Sequence, residues 1–266
     1  MAAFQPNGII TLTTDIGHKG PFVAIMKGVV LKRFPQATLV DLTHEISEHW
    51  PAEAGFWLEH AHPDFPAGTI HLAAVDPSGG TDRRFLAVRL ADQLFLAPDN
   101  GLLANLADRE GATVRAIDHV QSLVGARPSP IFAGRDVLAP LAAEVAAGRL
   151  TVPKLGPKVK DWTPSWLDPA EVQDQQVKGV VVAVDSFGNL ITNIERAQID
   201  PLRVTTVVLA GMRLPVKNTY AEAKPGDYMA LVNSLGVLEI ARAEQSAAEG
   251  LGLERGAPVT AVRTSR

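Results

Sequence analysis

Hydrophobic and polar residues follow two alternating periods along the first 150 residues. Short apolar runs such as 8–14 (GIITLTT) and 69–75 (TIHLAAV) are typical of buried strands. Between them, 22–34 (FVAIMKGVVLKRF) carries apolar residues at helical spacing, and 51–61 (PAEAGFWLEHA) opens with a proline that suits a first helical turn. Strand alternating with helix predicts a mostly parallel sheet covered on both faces. We therefore expect residues 1–150 to form an α/β domain.

The pattern changes after residue 150. Residues 151–175 are rich in proline, lysine and tryptophan, which predicts a linker. Residues 176–266 consist of short β-type segments, such as YMALVN and VLEIARA, separated by Gly, Asn or Pro. This part of the sequence predicts a small all-β, barrel-like C-terminal domain.

Composition narrows the class of protein. Hydrophobic residues make up 46% of the 266 residues, which is ample for a sizeable core. The formal net charge of −4 argues against nucleic acid or an anionic membrane as the main partner. Cysteine is absent, so disulfides, thiolate metal sites and a cysteine nucleophile are excluded. With no signal-peptide pattern and no apolar run of the roughly 18 residues that span a bilayer, we expect a cytoplasmic protein.

Neither a metal nor an organic cofactor is predicted. The sequence HEISEH (44–49) lacks the spacing that puts two imidazoles on one helical face, and His60 and His62 alternate in a predicted helix. Scattered structural histidines explain the seven histidines better than a zinc hydrolase does. No glycine-rich phosphate loop of the usual spacings is present.

Acids stand where apolar runs end: Asp15, Asp41 and Asp76. Ligands of parallel sheets bind beyond the carboxyl ends of the strands, where a carboxylate such as Asp15 can accept both hydroxyls of a ribose. Asp15 precedes a glycine closely enough to be an ordinary turn residue instead. Trp50, just before Pro51, is either a helix staple or a flat wall for a sugar or base. Both alternatives stay open.

Two further segments combine turn residues with potential chemistry. In 75–85 (VDPSGGTDRRF), a tight turn would bring Asp76 back toward Arg83, either as a structural ion pair or as a functional one. In 185–193 (DSFGNLITN), a turn explains most residues, although Phe187 is a large ring to leave in one. The sequence NSLG (233–236) is typical of a hairpin turn.

Taken together, these segments resemble the S-adenosylmethionine hydroxide adenosyltransferases, a family similar to the bacterial fluorinases and chlorinases. Seven motifs occur in the order expected of that family and cover nearly the whole chain: TTDIGHKGPFVAIMKGVV, VDLTHEI, FPAGTIHLAAVDPSGGTDRR, APDNGLL, IFAGRDVLAPLAA, VDSFGNLITNI and NSLGVLEIAR.

The resemblance implies an N-terminal α/β domain, a C-terminal β-barrel and a homotrimer. It places the ligand at the subunit interface, between the first domain of one subunit and the second domain of its neighbour. The implied reaction is hydrolysis of S-adenosyl-L-methionine: water or hydroxide attacks the 5′ carbon and yields adenosine and L-methionine.

Functional residues carry over only where the motifs match. Asp76 and Arg83 match two of the three residues that surround the attacking water in the hydrolytic members. Asp15 matches the acid that holds the ribose diol, and Trp50 resembles the ring that lines the ribose pocket. The C-terminal matches are Asp185 for the methionine amino group, Phe187 and Asn189 for the adenine, Ser234 for the methionine carboxylate and Arg242 where adenine meets the barrel.

The chain also departs from the family. Ala133 stands where the family has its third catalytic residue, a histidine, and alanine can neither accept nor donate a proton. Three explanations of Ala133 stay open. Either Asp76 and Arg83 suffice at a reduced rate, or His18 takes the place of the missing histidine, or the protein binds its nucleoside without hydrolysing it. Gly20 replaces an acid near the methionine amine, and Leu235 replaces the arginine of the fluorinase. We predict an S-adenosylmethionine hydrolase, with a non-catalytic binder of adenosine or S-adenosylmethionine as the alternative.

Overall fold

The chain divides into two compact units. The computed structural model describes residues 3–75, 83–125, 128–129 and 131–263. Unit 1 is Met1–Leu167 and unit 2 is Asp168–Arg266, so the division falls inside the segment 151–175 that the sequence predicts as a linker. The exact domain boundaries stay a prediction.

Unit 1 contains a six-stranded, mostly parallel sheet, which confirms the predicted α/β class. Its order is β2-β1-β3-β5-β4-β6. The first four strands of that order run parallel, and β4 is antiparallel to both β5 and β6. The strands are β1 (Ile9–Thr14), β2 (Thr38–Thr43), β3 (Ile70–Ala74), β4 (Phe85–Leu90), β5 (Gln93–Pro98) and β6 (Thr113–Ile117).

Helices cover both faces of this sheet because successive strand residues point to opposite sides. In β3, Ile70 and Leu72 pack into one apolar cluster with α1 and α5, whereas Ala73 belongs to a second cluster with α2 and α3. The helices are α1 (Phe22–Arg33), α2 (Pro51–Ala61), α3 (Ala104–Ala107), α4 (Val120–Val124) and α5 (Ala139–Ala146), with 3-10 turns at His62–Asp64 and Val152–Leu155.

The helical segment 134–146 is not one uninterrupted α-helix. A π-helical turn, Gly134–Leu138, precedes α5. Pro140 has no N–H to donate to the carbonyl four residues earlier, so an α-type bond is missing where the π turn meets α5. Gly134 packs tightly: a Cβ there would lie 2.9 Å from the Cβ of Ala74 and 3.1 Å from Cε of Met26. This segment therefore lies against the carboxyl end of β3.

Unit 2 is an antiparallel, nearly closed barrel, as predicted. Its strand order is β11-β10-β14-β8-β9-β13-β12, with β7 paired to β8, and a bridge between Val216 and Ala230 connects the two ends. The strands are β7 (Glu171–Gln173), β8 (Gln176–Val184), β9 (Leu190–Glu195), β10 (Thr206–Leu209), β11 (Met212–Pro215), β12 (Tyr228–Val232), β13 (Val237–Arg242) and β14 (Pro258–Val262).

Short helices decorate the barrel: α6 (Arg196–Ile199), α7 (Ala247–Leu251) and a 3-10 turn at Tyr220–Glu222. Glu195 and Gln198 form a capping box at the start of α6, and the Ser246 hydroxyl accepts the Glu249 amide at the start of α7. Within the described ranges, the helices are all too short or too polar to cross a membrane.

Candidate functional site

Asp15 lies at the carboxyl end of β1, where the sequence predicts a ribose-binding acid. It is half-buried, and its Oδ2 accepts a hydrogen bond from the His49 backbone amide at 3.3 Å. The segment that follows β2 passes over this strand end, since the Gly17 amide donates to the His44 carbonyl at 2.8 Å. The loops after β1 and β2 therefore form one connected edge of the sheet.

A buried hydrogen-bond network supports this edge, and sequence reasoning missed it. The side chain of His44 is fully buried, with Nδ1 2.9 Å from Oγ1 of Thr14. Its Nε2 lies 3.0 Å from Asp41 Oδ1, a contact that is not aligned as a hydrogen bond. Lys27 donates to the other Asp41 oxygen at 2.6 Å. Asp41 lies within β2, and its carboxylate is occupied by these partners.

The ionisation of Asp41 follows from the same contacts. Partial burial works to raise its pKa, but the hydrogen bond and positive charge of Lys27, together with the close contact of His44, outweigh burial and leave the pKa below its ordinary value. Asp41 therefore connects β2 to α1 through its hydrogen bond with Lys27.

Trp50 lies directly before α2, half-buried, with its ring edge-on to that of Trp166 at a centroid distance of 5.9 Å. Both residues belong to unit 1. An indole at this strand edge fits either a helix staple or a pocket wall, so its role in ribose binding stays a prediction.

Asp76 belongs to the segment that the sequence predicts as a turn, and residues 76–82 of that segment lie outside the described residues. Its flanks are described: the Val75 carbonyl accepts the Asn100 side-chain amide at 2.8 Å, and half-buried Arg83 lies two residues before β4. The next residue, Arg84, has a structural role, because its guanidinium lies 3.3 Å from the carboxylate of Asp99 and 2.9 Å from that of Asp161. The pairing of Asp76 with Arg83 stays a prediction.

Ala133 is buried and directly precedes the π-helical turn. Because its neighbour Gly134 packs on Ala74 of β3, position 133 lies near the strand end that leads into Asp76. The preceding ring, Phe132, is 6.0 Å from the ring of Phe22. The structure therefore places this departure from the family pattern next to the strand end predicted to carry the chemistry.

In unit 2, Asp185 organises the turn between β8 and β9. Its Oδ1 accepts the backbone amides of Phe187 and Asn189 at 2.9 and 2.8 Å, and its Oδ2 accepts the Asn189 side-chain amide at 2.9 Å. Gly188 adopts φ +80°, and a Cβ there would lie 2.1 Å from Oγ of Ser246, so only glycine fits. The turn holds Asn189 buried while the Phe187 ring is 79% exposed.

A pocket of about 750 Å³ opens beside this turn. It brings together three residues that the sequence predicts for adenine, Phe187, Asn189 and Arg242. Tyr220 also lines the pocket, and sequence reasoning missed it because it belongs to a short 3-10 turn without periodicity. The remaining lining residues are Ala221, Ala223, Ala243, Glu244, Gln245 and Ser246.

Ser234 lies in the turn between β12 and β13, as the sequence predicts. The neighbouring Asn233 side chain accepts the backbone amides of Leu235 and Val237 at 3.0 and 3.3 Å and fixes the turn. Across the described part of the chain, no group of three or more His, Asp or Glu side chains could hold a metal ion.

By fold, the chain is a protein of two units, a mostly parallel α/β unit and an antiparallel barrel that carries an aromatic pocket. Two family models match it, the SAM hydroxide adenosyltransferase N-terminal domain over residues 10–156 and the C-terminal domain over residues 179–260. The chain belongs to the SAM hydroxide adenosyltransferase family.

Individual relatives agree with this assignment. The chain is 36% identical to an (R)-S-adenosyl-L-methionine hydrolase of Thermus thermophilus, over 92% of this chain and 96% of the relative. It is 29% identical to a fluorinase of Actinopolyspora mzabensis, over 96% and 97%. A solved structure of an uncharacterized conserved protein from Thermotoga maritima superposes with a TM-score of 0.88 at 31% identity, covering 96% of this chain and all of that one.

Proposed function

We propose that this protein hydrolyses S-adenosyl-L-methionine to adenosine and L-methionine. The observation that carries the proposal is the match, over more than nine-tenths of the chain, to relatives named (R)-S-adenosyl-L-methionine hydrolase at 33 and 36% identity. Because those names specify the sulfonium configuration, we include the (R) diastereomer as the proposed substrate. An oxygen–C5′ bond forms, the C5′–sulfur bond breaks, sulfur keeps the electron pair, and the water loses a proton.

The sulfonium is already a good leaving group, so the protein must mainly position the nucleophile. It has to hold one water in line with C5′ and exclude other nucleophiles. Asp76 would accept a hydrogen bond from this water, and Arg83 would favour its hydroxide-like form. The described flanks support these roles, since Val75 directly follows β3 and Arg83 lies two residues before β4.

Substrate binding would use both units. Asp15 would accept the ribose hydroxyls, with Trp50 as a wall, and the pocket of unit 2 would take the adenine between its aromatic and amide side chains. Asp185 already accepts three hydrogen bonds, and a carboxylate has about four acceptor sites. The remaining acceptor site would bind the methionine ammonium. Ser234 would bind the methionine carboxylate.

We also propose a cytoplasmic homotrimer in which the site forms between the first domain of one subunit and the second domain of its neighbour. Large apolar side chains that are unusually exposed support an assembly: Phe22 (50%) and Ile131 (86%) in unit 1, and Phe187 (79%) in unit 2. Light scattering would test it by giving three times the monomer mass of 28.4 kDa. Neither nucleic acid nor membrane is a proposed partner.

The second candidate is a non-catalytic binder of adenosine or S-adenosylmethionine in the same site. Ala133 favours it, because removing a proton-transfer group typically costs about 10²–10⁴ in rate. The test is to incubate the purified protein with each sulfonium diastereomer and to separate adenosine and methionine by chromatography, alongside Ala133→His and the non-basic control Ala133→Asn.

The outcomes separate the two candidates. Turnover by the unmodified chain supports the hydrolase. Turnover by Ala133→His alone identifies a binder that one residue has disabled. No turnover by any of the proteins, with adenosine still bound, rejects hydrolysis in favour of binding.

A further inference from the structure

Glu239 is a buried acid that none of the roles above uses. It lies in the middle of β13, paired to Ile191 of β9 on one side and Leu231 of β12 on the other, and is 3% exposed. Its neighbours along the strand, Leu238 and Ile240, pack into the barrel core. Glutamate is almost never fully buried unless it is paired, so its partners indicate why it is there.

Both carboxylate oxygens of Glu239 are occupied. Oε1 accepts the hydroxyl of Tyr220 at 2.5 Å, and Oε2 accepts the side-chain amide of Asn233 at 3.2 Å. The amide orientation of Asn233 is consistent on both sides, because its oxygen accepts the amides of Leu235 and Val237. One carboxylate therefore connects a wall of the pocket to the turn that carries Ser234.

We infer that Glu239 is a positioning residue for substrate binding: it fixes the Tyr220 wall and the Asn233–Gly236 turn relative to each other. It does not touch the substrate. The inference rests on the proposed function, which assigns the pocket to adenine and Ser234 to the methionine carboxylate. Substrate would then span two features whose separation depends on one side chain.

The chemistry of the network requires an acid at this position. A carboxylate accepts with both oxygens, whereas an amide has one acceptor and one donor. In Glu239→Gln, the Tyr220 hydroxyl still has an acceptor, but the new NH₂ faces the NH₂ of Asn233. If Asn233 turned its oxygen toward Gln, its bonds to Leu235 and Val237 would be lost. Glu239→Gln therefore disturbs the Asn233–Gly236 turn and keeps the hydrogen bond of Tyr220.

A second substitution can restore every bond. With Asn233→Asp added to Glu239→Gln, the new amide donates to the new carboxylate, which still accepts the two turn amides. The net charge of the pair is unchanged. Asn233→Asp alone would place two carboxylates against each other, so it should be the most damaged of the three variants.

The experiment measures kcat and KM for S-adenosyl-L-methionine with the full chain, and melting temperatures alongside. We expect Glu239→Gln to raise KM about tenfold, equivalent to ~1.4 kcal/mol, with kcat within about twofold. Asn233→Asp should raise KM further, and the double variant should return KM to within about threefold of the original value. Tyr220→Phe is the matched control, because it removes only the hydrogen bond between Tyr220 and Glu239. It should raise KM less than Glu239→Gln does.

Adenosine and S-adenosyl-L-methionine affinities, measured by calorimetry, keep this inference separate from the proposed function. If the unmodified chain binds both compounds without turnover, hydrolysis fails, and the affinities of the four variants still test Glu239. Unchanged KM and affinity in Glu239→Gln would overturn the inference alone. A double variant no better than Glu239→Gln, or a loss confined to melting temperature, would do the same.

Discussion

The two units build their candidate binding surfaces in different ways. In unit 1, Asp15 lies in a loop at a strand end, and a Cβ added at the nearby Gly17 would make only an ordinary van der Waals contact, with Oε1 of Glu45 at 3.8 Å. In unit 2, the turn with Asp185 is closed by three hydrogen bonds, and Gly188 is walled in by Ser246. An open strand edge suits groups that act on a reacting atom, whereas a braced turn suits recognition of a fixed ligand shape.

The largest expected effect separates chemistry in unit 1 from recognition in unit 2. We expect Asp76→Asn to lower kcat by about 10²–10⁴ while adenosine affinity stays the same. Phe187→Ala, the matched variant in unit 2, should mainly raise KM, because its exposed ring would stack on substrate without touching the water. Steady-state kinetics would show the split. If Asp76→Asn changed only KM, the assignment of catalysis to unit 1 and recognition to unit 2 would be wrong.

A pair of glycine substitutions sharpens the structural side of the comparison. Gly188→Ala should destabilise unit 2 strongly, since the new Cβ would overlap Ser246 and the backbone is left-handed at φ +80°. Gly17→Ala, at φ +61° where the new Cβ would meet no atom closer than 3.8 Å, should cost only the left-handed penalty of about 1–2 kcal/mol. Urea unfolding would measure both. Equal losses would contradict the claim that only the turn in unit 2 is walled in.

Buried titratable groups give the two units opposite pH dependence. Burial lowers the pKa of His71 to about 3, so unit 1 prefers neutral His71 and loses this contribution as pH falls below the ordinary 6.5. Burial raises the pKa of Glu239 despite its two hydrogen bonds, so this acid contributes more stability to unit 2 while it is protonated than after it ionises to the carboxylate of the hydrogen-bond network. That contribution is present below the ordinary 4.5 and is lost as pH rises through the raised pKa.

The measurement is the melting temperature as a function of pH, relative to His71→Gln and to Glu239→Gln. The melting temperature of the unmodified chain minus that of His71→Gln should decrease as pH falls from 6.5 toward 3. The melting temperature of the unmodified chain minus that of Glu239→Gln should decrease as pH rises above 4.5. Two differences of the same sign would show that one of the buried groups has been misassigned.

The smallest effect concerns the network beneath Asp15. Thr14→Val keeps the shape of the side chain but leaves Nδ1 of His44 without its hydroxyl partner, so we expect a loss of about 1 kcal/mol in stability. Adenosine affinity should fall only a few-fold, because Asp15 itself is kept. Thermal unfolding and calorimetry would record both. A loss of affinity as large as that of an Asp15→Asn variant would contradict a purely supporting role.

Much of the fold could be predicted because buried strands and amphipathic helices leave a period in the sequence. That period located β1, α1, α2 and β3 to within a few residues. Elements of three to five residues, such as β7, α4, α6 and α7, are too short to show one. The π-helical turn at 134–138 was missed because it depends on the close approach of Gly134 to β3, a contact between distant segments.

The candidate site was predicted less completely, and for a physical reason. Turn residues such as Asp185 and Asn189 stand out in a short motif, and the structure brings them together. Glu239 was passed over because VLEIAR has the pattern of an ordinary strand, and its partners Tyr220 and Asn233 lie 19 and 6 residues away. A hydrogen-bond network of that kind has no signature in one sequence.

The central claim is that water attacks C5′ of the nucleoside sulfonium in this protein. The most direct measurement is mass spectrometry of adenosine formed from S-adenosyl-L-methionine in water enriched in the heavy oxygen isotope. We expect adenosine that carries one heavy oxygen at its 5′ position, with methionine released unlabelled. Absence of adenosine, or adenosine without the label, would contradict it.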